Sequence, residues 1–574
     1  MFGKVLIANR GEIALRILRT LRELGITAVS VYSDSDRDAR FVLEADEAYR
    51  IGPPPAGESY LNQPAVIEAA IRSGSQALHP GYGFLAENAD FADRVAAAGL
   101  TFIGPRPESM RLMGDKIAAR KAAMAAGVPV VPGTPGPVRS LDGGKNFVAQ
   151  HGLPVLVKAG GGGGGRGIRV VDDESNLGAA LETASREAKT YFSNPDVYLE
   201  RFYEGARHIE VQVAGDANGR VVAWGERDCS TQRRRQKLIE ETPAPNLAAV
   251  DRAELLEAAR RLAESAGYMS VGTVEFLYAG LGQFFFLEMN TRIQVEHTIT
   301  EQVTGLDLIR ESVRLASGEP AMTAIEPRGH SIEARINAED PARGFQPGPG
   351  RLEIYREPGG QGVRIDSGVY QGFTIPGDYD SLISKLVVHA PDREQAIAKL
   401  LRALRGYHIE GVPSTIPLIY RIVDSAAFRA GEVKTDWLDA HLSEFVGSAQ
   451  SDPVSGEPAA DARAVDVEVN GKRFEVRLFD SAVPKAASVT RTPATARRGS
   501  RGSANQIVSP MRGTVLSISK SPGDSVDADE RLVVIEAMKM ENDVRASHAG
   551  RVKAVHVNVG ETVETGELLL ELEQ

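Results

Sequence analysis

Short apolar runs alternate with amphipathic stretches over the first 110 or so residues. Lys4–Ala8 (KVLIA) reads as a strand, Glu12–Leu24 repeats its apolar residues at helical spacing with Gly25 as a stop, and Ile26–Tyr32 (ITAVSVY) reads as a second strand. Such a βαβ start invites a dinucleotide site. The first strand, however, runs into Asn9-Arg10-Gly11-Glu12 and not into the G-x-G-x-x-G turn that lets a pyrophosphate approach the backbone, so a nicotinamide cofactor is not expected. Residues from about 205 to 300 are rich in strand-like runs and charges, helix-compatible sequence follows from about Leu306 to Ala316, and a mixed segment from about 330 to 445 closes the large globular part.

The pattern then breaks. Gly447–Arg463 is rich in Ala, Ser, Pro and Asp and reads as linker, and Val465–Phe479 alternates around Asn470-Gly471, a type I′ hairpin signal. Asp480–Gln506 is a second linker, carrying Lys485, Arg491, Arg497, Arg498 and Arg501 against the single acid Asp480. A solvated tether is preferred to a nucleic-acid arm there. Beyond it lies a repeat: Gly513, Val515, Gly523, Val526 and Leu532 recur 37 positions later as Gly550, Val552, Gly560, Val563 and Leu569. Two strand–turn–strand halves of this kind make a small symmetric β-sandwich or flattened barrel, with Glu536-Ala537-Met538-Lys539-Met540-Glu541 at their joint.

Composition bounds the reading. At roughly 150 residues per domain, 574 residues predict three or four domains. A net charge of −11 argues against wholesale nucleic-acid binding. One cysteine, Cys229, fits a reducing compartment, and no apolar run approaches the 18 or so residues that span a bilayer; together with the interruption of the first apolar stretch at Asn9-Arg10, this leads us to expect a cytoplasmic protein without membrane association. The unusual number is glycine, 58 residues or about 10%.

Six of those glycines, Gly160–Gly165, lie in Val155–Val171 between β-branched runs, with Lys158 before them and Arg166 after. Without Cβ atoms, successive N–H groups converge on an anion, so phosphate binding is favoured over a merely flexible loop. Glu275 (GTVEFLY) and Glu288 (FFFLEMN) sit inside strand-like runs, and with Asn290 they supply oxygen donors that suit Mg²⁺; solvent-facing edge carboxylates are the plain alternative. Glu226–Lys237 (ERDCSTQRRRQK) lacks the aromatic interleaving of a nucleic-acid patch and better suits an anionic substrate beside Lys237, with Cys229 as a spectator thiol. Lys539 differs from an ordinary surface lysine in standing at a symmetric turn between two methionines.

Together these segments resemble one family, the biotin-dependent carboxylases, in the arrangement of a biotin carboxylase fused to a biotin carboxyl carrier domain. The resemblance is to alpha subunits of acetyl- and propionyl-CoA carboxylases. It covers about residues 1–445 and 507–574 and rests on ANRGEIALR, LHPGYGFLAEN (78–88), MGDK (113–116), the polyglycine run, EMNTRIQVEH (288–297), RINAED (335–340), YDSLISKL (379–386) and EAMKM (536–540). It implies an α/β ATP-grasp enzyme: a pre-ATP-grasp domain at 1–114, an ATP-grasp domain at 115–330, a mixed C-terminal domain at 331–446, linkers with a hairpin at 447–506, and an all-β carrier at 507–574. Lys116, Lys158, Gly164, Gly165, Glu200, Tyr203 and His208 would hold ATP, and Glu275, Glu288 and Asn290 would hold Mg²⁺ or Mn²⁺. Lys237, Arg292, Gln294 and Val295 would bind bicarbonate, with Glu296 as general base, Arg335 facing carboxyphosphate and biotin, and Lys539 carrying the biotin. Three departures stand out: Arg235 where relatives commonly have His, Thr298 where proline is usual, and Gly160 for Ser or Ala.

The resemblance implies that Glu296 deprotonates bicarbonate, which attacks the γ-phosphoryl group, and that carboxyphosphate then delivers CO₂ to biotin. It also implies a separate carboxyltransferase (beta) subunit, a biotin protein ligase as modifying partner, and a homodimer through the carboxylase part. A tether of roughly 25 residues has a root-mean-square span of about 25–30 Å and reaches on the order of 80 Å when extended, enough to visit a second site on that partner. Two other readings stay open: a different ATP-grasp ligase, or a non-catalytic biotin carrier and scaffold.

Overall fold

The computed structural model describes residues 1–159, 168–192, 196–323, 325–446, 462–469, 472–479, 506–509, 513–537, 540–563 and 566–573. The polyglycine run with Gly164 and Gly165, the turn Asn470-Gly471, and Lys539 lie outside them. The chain divides into two units, one of residues 1–341 with 347–445, the other of residues 446–574 with 342–346.

In the first unit, strands β1 (Lys4–Ile7), β2 (Thr27–Ser33), β3 (Glu47–Gly52), β4 (Ala77–His79) and β5 (Thr101–Phe102) form a parallel sheet in the order β3-β2-β1-β4-β5. Helix α1 (Gly11–Glu23) crosses between β1 and β2, burying Ile13, Ala14, Ile17, Leu18 and Leu21. It stops at Leu24 and Gly25, where a φ of +70° suits glycine and ends the helical turn.

Farther along, β6 (Val155–Ala159), β7 (Ile168–Val171) and β8 (Val197–Arg201) form an antiparallel sheet with β6 central. The segment between β6 and β7 is the glycine run, so the run joins two paired strands, Lys158 standing opposite Ile168.

The scaffold of the unit is an eight-stranded antiparallel sheet. Its strands are β9 (Arg207–Gly215), β10 (Val221–Arg233), β11 (Gln236–Thr242), β12 (Ser270–Gly280), β13 (Gln283–Asn290), β14 (His330–Asn337), Leu382–Ala390 and Val363–Ser367. The order is β13-β12-β9-β10-β11-β14, then Leu382–Ala390, then Val363–Ser367 at the edge. Strand alternation explains its two faces. In the run His208-Ile209-Glu210-Val211-Gln212-Val213, the apolar residues join Val274 and Phe276 of β12 under Leu255, Ala258, Ala259 and Leu262 of the helix Ala249–Ser265. His208, Glu210 and Gln212 therefore turn to the other face.

The helix expected from about Leu306 to Ala316 is present as Leu308–Ala316, and a second helix that the sequence reading did not anticipate precedes it. His297–Thr304 ends at Gly305, whose φ of +73° reverses the chain, and Leu308–Ala316 starts afresh with Asp307 Oδ1 accepting from Arg310 N at 2.9 Å. Among the described residues no helix is long and apolar enough to cross a membrane.

The second unit contains the paired strands Ala462–Val469 and Lys472–Phe479 and, after them, two four-stranded antiparallel sheets. The duplication has structural meaning. Val515 and Val552, Val526 and Val563, and Leu532 and Leu569 are all buried in one core. Gly513 stands opposite Val563 in one sheet as Gly550 stands opposite Val526 in the other, so each half lends a short strand to its counterpart. The strands Arg531–Ala537 and Met540–Arg545 pair with Ala537 opposite Met540.

Candidate functional site

Four acidic and basic residues stand in one row across the large sheet. Glu288 of β13 lies opposite Glu275 of β12, Glu275 opposite Glu210 of β9, and Glu210 opposite Arg227 of β10. Directly opposed residues share a face, and like charges placed this way destabilise a sheet by roughly 0.2–1 kcal/mol per pair. Three carboxylates in line are tolerated because cations converge on them.

Lys237, from β11, is the centre of that convergence. Its Nζ donates to Glu210 Oε2 at 2.6 Å, Glu296 Oε1 at 2.6 Å and Glu275 Oε1 at 3.2 Å. Arg227 is fully buried and spends its whole fork: Nε on Glu210 Oε1 (2.5 Å), Nη1 on Gln212 and Thr300 (2.7 and 3.0 Å), Nη2 on Gln294 and Thr273 (2.7 and 3.1 Å). Gln294 Nε2 and Asn290 Nδ2 donate to Glu275 Oε1 at 2.7 and 2.9 Å. Arg292 links outward, donating to Asn290 Oδ1 at 2.7 Å and Glu87 Oε2 at 3.0 Å. Arg335, from β14, donates to Glu296 Oε2 at 3.0 Å and Glu240 Oε1 at 2.6 Å.

The electrostatics follow from this packing. Burial alone would raise the Glu296 carboxyl, but Lys237, Arg335 and Arg227 outweigh it and hold it well below the ordinary carboxylate range. Burial would raise Glu275 too, and Lys237 with His208, 3.0 Å away, brings it below that range instead. His208 is depressed by burial and lifted further by Glu275, so it ends above its usual value. Burial pushes Lys237 down; the negative groups around it, Cys229 when ionised and then Glu210, Glu275 and Glu296, raise it well above the lysine range. Cys229 itself is pushed far up by burial and by Glu210, so its thiol stays protonated and the carboxylates are what hold Lys237 charged. That is a spectator thiol. Glu288 is the exposed member of the row on the edge strand; its carboxyl is raised by desolvation first and by Glu275 second, against the pull of Lys116.

The remaining expected residues lie around this centre. Lys116 is exposed at the first position of the helix Lys116–Ala125, where Asp115 Oδ1 accepts from Ile117 N and Ala118 N at 2.9 and 2.8 Å. Lys158 and Glu200, on paired strands β6 and β8, form an ion pair with each other. Tyr203 stacks on Phe285 of β13 with ring centroids 4.8 Å apart. The Val295 carbonyl accepts from Lys385 Nζ at 2.9 Å. Arg234 and Arg235 form the exposed turn between β10 and β11, both with positive φ (+44° and +69°), and Arg234 N donates to Asp439 Oδ2 at 3.1 Å. Thr298, where relatives usually have proline, donates its hydroxyl to the buried Glu333.

Sequence reasoning missed Glu210, Arg227, Glu240 and Glu87. The signal for the first two was present: Glu210 interrupts HIEVQV and Arg227 lies in WGERDCS, each a charge in a strand that is otherwise committed to a core. Glu87 lies in the motif LHPGYGFLAEN without being singled out there, and Glu240 carried no signal; only the fold brings them to Arg292 and Arg335.

Three carboxylates, a charged lysine and two arginines facing one another suit an anionic substrate activated beside a divalent cation. Glu275 and Glu288, directly opposed with Asn290 two register positions away opposite Thr273, offer the hard oxygen donors that Mg²⁺ prefers. His208, Glu210 and Glu275 also place ligand atoms within 4.8 Å of one another, but a nitrogen donor is less suited to that ion.

Four family profiles match the chain in order. They are "Biotin carboxylase, N-terminal domain" at residues 1–110, "Carbamoyl-phosphate synthase L chain, ATP binding domain" at 115–323, "Biotin carboxylase C-terminal domain" at 333–440 and "Biotin-requiring enzyme" at 505–572. The biotin-dependent acyl-coenzyme A carboxylase alpha3 subunit of Mycobacterium leprae is 41% identical over 99% of this chain and 98% of its own length. The biotin carboxylase of Allochromatium vinosum is 51% identical over 77% of this chain and 99% of its own. Among solved structures, a biotin carboxylase–β,γ-ATP complex from Campylobacter jejuni superposes with a TM-score of 0.73 at 45% identity, covering 77% of this chain and 99% of that one.

Proposed function

The chain belongs to the biotin-dependent carboxylases, as a biotin carboxylase fused to a biotin carrier domain in the manner of an acyl-CoA carboxylase alpha subunit, and from that premise we propose how its own residues perform the reaction. The family works with ATP, Mg²⁺ and covalent biotin. The arrangement of Glu296 between Lys237 and Arg335, 2.6 and 3.0 Å from its two oxygens, carries the reading. A carboxylate held ionised by two cations is ready to take a proton as soon as substrate binding redistributes those contacts.

Bicarbonate binds as the anion of Lys237, Arg292, Gln294 and the Val295 backbone. Glu296 takes its proton, and a bicarbonate oxygen attacks the γ-phosphorus of ATP, giving carboxyphosphate and ADP. Lys116, Lys158 and His208 neutralise the polyphosphate, Gly164 and Gly165, which lie outside the described residues, would contribute backbone N–H groups to it, and Glu200 and Tyr203 line the nucleotide base. Lys237 and Arg335 offset the negative charge that gathers on the transferred group. Mg²⁺, or Mn²⁺ in its place, would be held by Glu275, Glu288 and Asn290 and would supply charge neutralisation between the phosphates. Lys539 would carry biotin, whose ring nitrogen would take up the CO₂ released from carboxyphosphate while the phosphate released with it takes the proton from that nitrogen.

The domain boundaries that serve this chemistry are 1–114, 115–330 and 331–446 for the carboxylase and 507–574 for the carrier. By analogy with the M. leprae alpha3 subunit, the final acceptor is an acyl-CoA, acetyl-CoA or propionyl-CoA by our reading, and carboxyl transfer is done by a separate beta subunit. Biotin protein ligase is the modifying partner. We further assign a homodimer through the carboxylase part, as the 2-oxoglutarate carboxylase domain dimer of Hydrogenobacter thermophilus forms, and a cytoplasmic site of action consistent with one buried, unpaired cysteine.

The test is ADP release with and without bicarbonate, beside retention on avidin and the mass of the peptide containing Lys539. Bicarbonate-dependent ATP cleavage that is lost in Glu296→Gln, in a protein that avidin retains, is the expected result. Cleavage indifferent to bicarbonate or to Glu296 would overturn the base; an unmodified Lys539 would favour a different ATP-grasp ligase.

A further inference from the structure

Lys385 has no part in the chemistry above, yet it is fully buried and directed at the same loop. Its strand, Leu382–Ala390, lies between β14 and Val363–Ser367, and the register sets Lys385 opposite Arg335 on one side and opposite Asp366 on the other. Its Nζ donates to Val295 O at 2.9 Å, sits 3.2 Å from Glu12 Oε2 and 4.0 Å from Asp366 Oδ2, and stands 6.0 Å from the centre of the Tyr82 ring. Tyr82 in turn donates its hydroxyl to Glu12.

A buried ammonium is costly unless its donors are met. Glu12 and Asp366 supply charge, on α1 and on the edge strand. The hydrogen bond goes to a neutral carbonyl, that of Val295, and its place in the chain gives it meaning. The C=O of Val295 and the N–H of Glu296 belong to one planar peptide unit, so an oxygen fixed at Val295 fixes the plane from which the Glu296 side chain departs. Arg335, the cross-strand neighbour of Lys385, holds the other end of the same residue through Glu296 Oε2. Nothing else among the described contacts anchors the Val295 carbonyl, and the loop Thr291–Glu296 lies between strand and helix without sheet partners of its own.

We propose that Lys385 is a positioning residue for the base: it orients the Val295–Glu296 peptide so that the Glu296 carboxylate meets bicarbonate between Lys237 and Arg335. The inference rests on the functional reading above. Lys385 touches no reacting atom and acts through Glu296 and the Val295 backbone.

The experiment uses the full chain with Lys385→Met, Glu296→Gln and their combination. Bicarbonate-dependent ADP release is measured for kcat and for the KM of each substrate, alongside thermal melting. Losing one hydrogen bond that orients the base should lower kcat/KM for bicarbonate on the order of ten-fold. The KM for ATP should stay within about two-fold, and Lys385→Met should add no further loss to the residual rate of Glu296→Gln. An unchanged kcat/KM, or the same loss with and without Glu296, overturns the proposal. Should Lys385→Met unfold, Lys385→Met/Glu12→Gln removes the stranded carboxylate together with its counter-ion and carries the same readouts. A wild-type chain without bicarbonate-dependent cleavage would overturn the functional reading and this proposal together; an active wild type with an unaffected Lys385→Met overturns this proposal alone.

Discussion

Lys237 Nζ lies 2.6 Å from Glu296 Oε1, and that contact keeps the proposed base ionised. With the folded-state pKa depressed, the pair contributes stability above the ordinary glutamate pKa and loses it as pH falls below that value. The same contact sets the acid side of the activity profile.

Lys237→Gln should therefore raise the pKa of Glu296 and move the acid limb of the pH–rate profile upward. It should also cost on the order of 10²-fold in kcat, because a charged donor at the developing anion is lost. Bicarbonate-dependent ADP release between pH 5 and 9, about the range in which a displaced carboxyl would titrate, decides it. An acid limb that stays in place would mean that Lys237 does not control the base.

Arg227 is a second case of charge held by geometry. It meets five acceptors on five residues and is wholly buried, so Arg227→Met leaves Glu210 partly uncompensated. Breaking a buried pair in this way costs about 3–5 kcal/mol. Urea unfolding should show that loss, and Arg227→Lys should recover only part of it, since an ammonium cannot reproduce the planar fork.

Glu240 responds to pH in the opposite sense to Glu296. Burial, with Glu296 nearby and Arg335 opposing, pushes its carboxyl up to about 7, and its Oε2 has no hydrogen-bond partner among the described residues. A raised folded-state pKa gives stability that is complete below the unfolded value and is lost as pH rises toward 7. Glu240→Gln lacks this loss. The stability difference between variant and wild type should therefore shift in favour of the variant by on the order of 2–3 kcal/mol between pH 4.5 and 7.5, the rise that a shift of that size implies. Melting curves across that range check it; a difference independent of pH would contradict the assignment.

These three residues also show what the sequence carried and what it did not. The carboxylase motifs singled out Arg292, Glu296 and Arg335, the charged run Glu226–Lys237 singled out Lys237, and strand periodicity anticipated that Glu275 and Glu288 stand in strands. It could not tell that they stand opposite each other, because register follows from the bulge after Glu275 and not from composition. Arg335 and Glu240 meet across β11 and β14, whose partnership skips β12 and β13 in the chain. A pairing between strands so far apart leaves no local periodicity to read. The carrier is the reverse case. There the repeat was visible in the residues, since each buried position must be filled twice.

That duplication makes a quantitative prediction. Gly523 N donates to Val552 O at 2.7 Å, and Gly560 N donates to Val515 O at 2.7 Å, each glycine reaching into the opposite half. Their φ values, +98° and +90°, lie where a Cβ is disfavoured, while a Cβ at either site would meet no atom within 4 Å. The penalty for alanine is thus conformational at both, about 1–2 kcal/mol, with no steric part to tell the two apart. Gly523→Ala and Gly560→Ala should destabilise the carrier equally, which amide exchange at Val515 and Val552 in the full chain can measure. Gly550→Ala should cost more than either, because its Cβ would come within 2.8 Å of the Glu573 carbonyl oxygen. Unequal losses at Gly523 and Gly560 would mean that the two halves share a sequence pattern without sharing the mechanical load.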